Sequence, residues 1–130
     1  MISRRHILAS MALATAFGAT LAQAAEQKAF TDAGFAAAQK AGKPIVVAVH
    51  ASWCPTCKAQ VPILSKIEQD PRFKNLVVFR VDFDAQKDVV KQFNVRMQST
   101  LIAFKGATET ARSVGDTNAD SINALVAKTL

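Results

Sequence analysis

Ile45-Val46-Val47-Ala48-Val49-His50-Ala51-Ser52-Trp53-Cys54-Pro55-Thr56-Cys57-Lys58 decides the reading of this chain. It begins as a continuous apolar, largely β-branched run, the pattern of a strand buried on both faces. It then reaches a Cys-x-x-Cys pair that holds both cysteines of the protein. Val61, Leu64, Ile67 and Glu68 continue at helical spacing, so the pair opens a helix, expected from Cys54 to about Gln69. Pro55 suits its first turn, where no N–H is required, and Pro62 inside it should introduce a kink. A helix N-terminus offers unpaired N–H groups and the positive end of its dipole. A sulfur held there titrates low, and the thiolate is the reactive form. Cys54 takes that place, and Cys57 lies one turn further in. In form this is a dithiol/disulfide redox site.

Two other readings of the pair carry less. Tetrahedral zinc takes four ligands, and beyond the two cysteines the chain has only His6 and His50 as softer donors. A structural disulfide over so short a loop would restrict the unfolded chain little.

The N-terminus addresses this chemistry to a compartment. Arg4 and Arg5 precede an uncharged, Ala-rich apolar stretch from Ile7 to Leu21, and Ala22-Gln23-Ala24 has the small-x-small form of a cleavage site. The expectation is a signal peptide over residues 1–24 and a mature domain over 25–130. The apolar stretch is short for a bilayer span, though retention as an anchor is the alternative. Ser3-Arg4-Arg5-His6-Ile7-Leu8 has part of a twin-arginine signal. Either export route leads to the periplasm, where disulfide exchange belongs.

The full chain has 130 residues and a net charge of +6; loss of residues 1–24 removes two basic residues and no acid, leaving +4. The mature length suits one domain. Without a Lys/Arg run or a glycine-rich phosphate loop there is no nucleic-acid signature. Elsewhere the pattern alternates. Thr31–Ala41 reads as a helix capped by Thr31 and ended by Gly42. Asn75–Phe83 reads as a strand and Ala85–Phe93 as a short helix. Thr100–Phe104 and Thr108–Val114 form a hairpin around Lys105-Gly106-Ala107. A last helix starts at Asp116 or Thr117 and buries Ile122, Leu125, Val126 and Leu130. The order α-β-α-β-α-β-β-α gives an α/β domain: one mixed sheet, parallel across the first crossover and antiparallel at the hairpin, with helices on both faces.

Over nearly all of residues 27–130 the chain resembles the thioredoxin family. The likeness rests on Ala51-Ser52-Trp53-Cys54-Pro55-Thr56-Cys57-Lys58, on Pro62 eight positions after Cys54, and on Val81-Asp82-Phe83-Asp84. Phe93-Asn94-Val95-Arg96, Thr100-Leu101-Ile102-Ala103-Phe104 and Gly115 also match. The resemblance implies a thioredoxin fold and a thiol–disulfide oxidoreductase in which Cys54 attacks and Cys57 resolves, with no organic cofactor. It implies protein disulfides or thiols as substrates, a membrane-bound electron donor and a monomer. The Pro55-Thr56 dipeptide and the export signal resemble envelope thioredoxins that act as reductases in cytochrome c maturation. An oxidase running the same exchange in reverse is the alternative within the class. A metal- or iron–sulfur-binding protein of the same fold is the alternative outside it.

Three positions depart from the family pattern. Ala48 stands where the family carries a buried acid that moves protons for the second cysteine. Arg80 stands where it carries a lysine; a guanidinium does not give up its proton, so it could act only by charge. Gln98-Ser99-Thr100 replaces the loop in which a cis proline faces the sulfurs and the substrate backbone. The Gln98–Ser99 bond is expected to be trans, since a cis bond before a non-proline residue costs about 2.5–4 kcal/mol. Ser99 could also open the dithiol to a metal or a cluster shared by two chains. His50, four residues before Cys54, is a candidate to tune a thiolate or take a proton. Trp53 is expected to flank the sulfurs and contact partners, as is Met97 beside the loop.

Overall fold

The computed structural model describes Gly18 and residues 24–130; the leader expected over 1–24 otherwise lies outside the described residues. The elements are β1 (Glu26–Ala29), α1 (Asp32–Lys40), β2 (Pro44–His50), α2 (Pro55–Glu68), a short 3-10 turn (Pro71–Phe73), β3 (Val77–Asp82), α3 (Lys87–Gln92), β4 (Thr100–Lys105), β5 (Thr108–Val114) and α4 (Ala119–Ala127). The strands form one sheet in the order β1-β3-β2-β4-β5. β3 is parallel to both β1 and β2, and β4 is antiparallel to both β2 and β5. This is the expected mixed sheet and thioredoxin fold.

Strand alternation divides the core. Ile45, Val47 and Val49 point into one layer with Phe30, Phe35, Phe79, Phe93 and Phe104. Val46 and Ala48 point into the other, under Leu64 and Ile67 of α2 and Ile122, Leu125 and Val126 of α4. β2 is therefore buried on both faces, as its unbroken apolar run requires. Among the described residues no helix is long and apolar enough to cross a membrane.

Thr31 caps α1, its Oγ1 accepting the Gly34 N–H at 3.0 Å. The hairpin turns at Gly106, whose φ of 57° provides the left-handed conformation such turns need.

Three expectations are corrected. The sheet has a first strand, β1, that sequence reading passed over: Glu26-Gln27-Lys28-Ala29 is exposed at every residue, and its ladder to β3 rather than apolar content makes it a strand. α4 starts at Ala119 behind an Asn118 cap whose Oδ1 accepts the Ser121 N–H, not at Asp116 or Thr117. It ends before Leu130, which is half exposed, while Thr129 is the buried neighbour. On α2, which forms over the stretch the helical spacing indicated, Val61 faces solvent and Gln60 takes the inward place between Cys57 and Leu64.

Candidate active site

β2 delivers the chain to the N-terminus of α2. Cys54 is the N-cap, with φ −86° and ψ 110°, and Pro55 occupies the first turn. Cys54 Sγ accepts the Cys57 N–H at 3.1 Å, a contact that directs a helix-terminal donor at the sulfur. Cys54 and Cys57 form a disulfide with Cα atoms 5.3 Å apart. The two residues are 1% and 6% exposed, so accessibility does not distinguish them; position on the helix does. They form a small apolar cluster with Ala51, against which Phe83 packs.

Trp53 is 56% exposed beside the pair. Its Nε1–H donates to Asp84 Oδ2 at 2.7 Å. The turn after β3 holds Asp84 in place, because Asp82 Oδ1 accepts the N–H groups of Asp84 and Ala85 at 2.9 and 3.0 Å. Those two donors hold the Asp82 carboxyl below its usual range. Pro55 and Lys58 are exposed and Thr56 is half-buried, so all three border the disulfide from the outer side of α2's first turn.

The segment before β4 is tied to β2 and, through Gln60, to α2. Ser99 is 4% exposed and has φ 60°. Every peptide bond among the described residues is trans, so the Gln98–Ser99 bond is as expected. Ser99 donates its N–H to Val49 O at 2.8 Å, and its own carbonyl accepts from Gly115 N at 3.0 Å. Gln98 is half-buried, and Thr100 Oγ1 donates to Met97 O at 2.7 Å. A proline has φ near −65° and no N–H. The loop therefore follows a path closed to proline at position 99, rather than the family's path with a different side chain.

Gln60 ties these parts together and was missed in the sequence. It is 3% exposed, and its Nε2 donates to Ser99 O at 3.2 Å and Asp116 O at 2.9 Å. The available signal was spacing: Cys57, Gln60, Leu64 and Ile67 form one helical stripe. Asp84 was read as part of a matching segment but not as the partner of Trp53.

Beneath α2 lies a small cavity lined by Gln27, Ala48, Val49, His50, Cys57, Gln60, Val61, Leu64 and Arg80. Ala48 is in register with Arg80, and His50 with Asp82, so the departures at Ala48 and Arg80 and the histidine share one sheet face. Arg80 is half-buried, the snorkelling arrangement of a long cation on an apolar surface. His50 is half-buried too, and its Nδ1 is buried with no hydrogen-bond partner. Burial, then the nearby Arg80 charge, push the imidazole below its usual range; Asp82 and the carbonyls of Ala48 and Val81 oppose them. Among the described residues no group of three or more His, Cys, Asp or Glu side chains is placed to hold a metal ion.

Comparison with known proteins places this geometry. The family model described as Thioredoxin matches residues 26–128. The chain is 32% identical over 95 residues to a thioredoxin H-type of Oryza sativa subsp. indica, covering 73% of this chain and 76% of that protein. It is 36% identical over 86 residues to a thioredoxin of Mycobacterium tuberculosis, covering 65% of this chain and 73% of that one. Among solved structures, the Trxlp protein of Edwardsiella tarda superposes with a TM-score of 0.76 at 39% identity, over 78% of this chain and 98% of that chain.

Proposed function

The chain belongs to the thioredoxin family and is a thiol–disulfide oxidoreductase, and on that premise we propose that it is a periplasmic reductase of protein disulfides. The observation that carries the reading is Cys54 Sγ at the start of α2, accepting the Cys57 N–H at 3.1 Å. A thiolate at that place is stabilised by the helix terminus. Cys54 attacks a substrate disulfide and forms a mixed disulfide. Cys57 resolves it, releasing reduced substrate and leaving the Cys54–Cys57 disulfide. A membrane-bound donor then returns two electrons. The periplasmic address rests on Arg4, Arg5, the apolar stretch Ile7–Leu21 and Ala22-Gln23-Ala24, which would leave residues 25–130 as the mature, monomeric domain.

Two measurements test this. Cys57→Ser should accumulate mixed disulfides with envelope proteins, and Cys54→Ser should not; equal trapping would overturn the assignment of roles. A glutathione titration read by Trp53 fluorescence should place the potential in the reducing half of the range from about −270 to about −120 mV. A value at the oxidising end would make the protein an oxidase.

A further inference from the structure

We propose that His50 accepts the Cys57 proton in the resolving step, through a single water held in the cavity under α2. The inference rests on the reading above in which Cys57 resolves the mixed disulfide.

Four observations converge. Cys57 and His50 line the same cavity, one from α2 and the other from the end of β2. The cavity leaves about 20 Å³ for the centre of a water molecule, and one water needs about 10–15 Å³. His50 Nδ1 is buried without a partner, whereas buried polar atoms are nearly always hydrogen-bonded. A water donating to Nδ1 would satisfy it, with the ring in its Nε2–H tautomer. Finally, none of the nine lining residues is a carboxylate. Ala48 brings no polar side-chain atom and Arg80 does not deprotonate. Gln60 Nε2 is committed to the carbonyls of Ser99 and Asp116. The imidazole is the base left in the cavity.

The charges around His50 suit that role. β3 presents Arg80 and Asp82, in register with Ala48 and His50. α2 presents Cys57, and β1 presents the uncharged Gln27. Glu68 lies beyond, facing Arg80 and accepting from Gln27 Nε2 at 3.3 Å. Burial, then the Arg80 charge, favour the neutral imidazole, the form that is free to accept a proton. The Arg80 charge favours the thiolate left behind.

The step balances. In the mixed disulfide, Cys54 Sγ is bonded to a substrate sulfur. The water passes the Cys57 S–H proton to His50 Nδ1. The thiolate attacks Cys54 Sγ, the bond from Cys54 to the substrate breaks, and the Cys54–Cys57 bond forms. Two electrons leave on the substrate thiolate, which takes a proton from solvent, and His50 returns its own proton to solvent. The enzyme dithiol is oxidised and the substrate disulfide reduced.

The reduced full chain mixed with 5,5′-dithiobis(2-nitrobenzoate) separates the two events. Attack by Cys54 releases one coloured thiolate, and resolution by Cys57 releases the second. In the wild type the second phase should slow as pH falls through the imidazole pKa. In His50→Gln and His50→Ala at pH 7, the second phase should be at least about tenfold slower. The difference should close as pH rises past the ordinary thiol value of about 8.5, where solvent deprotonates Cys57 directly. The first phase should keep its wild-type rate. A second phase in His50→Gln with the wild-type rate and pH profile would overturn the proposal. A slowing equal at every pH would also overturn it, as the mark of a structural role. A wild type that releases no second thiolate would instead remove the underlying assignment of Cys57.

Discussion

Ser99 holds φ at 60° while its N–H reaches Val49 O at 2.8 Å and its carbonyl receives both Gly115 and Gln60. A proline there would remove a buried donor and could not take that φ. Ser99→Pro should therefore destabilise the fold by about 2–4 kcal/mol in chemical denaturation. Ser99→Gly, which adopts the left-handed region freely, should stay within about 1 kcal/mol of wild type. Equal stability of the proline variant would show that the loop can take the family's path after all. At this scale the reactive pair was legible, because Cys54 and Cys57 lie three positions apart on the chain and that spacing alone sets one helical turn between them. The Ser99 backbone was not, since serine ordinarily has negative φ and the loop's bonds to β2, α2 and Gly115 hold it elsewhere.

Helix α2 presents one buried stripe, Cys57, Gln60, Leu64 and Ile67, and so joins the disulfide to the second core layer. Gln60 is its polar member and clamps the helix to the Ser99 and Asp116 loops. Gln60→Ala should cost about 1–3 kcal/mol, because it leaves the Asp116 carbonyl without the amide donor it has now. Faster amide exchange at Ser99 and Gly115 should accompany the loss, and unchanged exchange would mean that the clamp does not hold those loops. Element types followed directly from local pattern: the β2 run, the Thr31 cap, Gly106 at the hairpin. Their edges did not. β1 carries no apolar signal and exists through its ladder to β3. The inward choice of Gln60 over Val61 depends on which way the whole helix is rotated against the sheet, and two acceptors brought in by distant loops favour it.

Across the molecule, the sheet separates a phenylalanine-rich layer from an aliphatic one. Phe79 meets Phe30 and Phe35 at ring-centroid distances of 5.9 and 5.7 Å, both edge-on. Phe79→Ala should lower stability by about 3–5 kcal/mol, with a single cooperative transition retained. Separate transitions on fluorescence and far-UV dichroism would show that the two layers fold independently. The chain order α-β-α-β-α-β-β-α already dictated most of this architecture, since crossover and hairpin connections leave few ways to arrange the strands. The sequence by itself determined the redox pair, its helix and the mixed sheet, because those depend on neighbours along the chain. Tertiary structure decided that Ala48, His50, Arg80 and Cys57 surround one small cavity, and that Ser99 is tied to Val49 of β2 and to Gln60 of α2. Those relations cross from strand to strand and from sheet to helix, and only the register of β2 against β3 and the seating of α2 on that face bring such distant residues together.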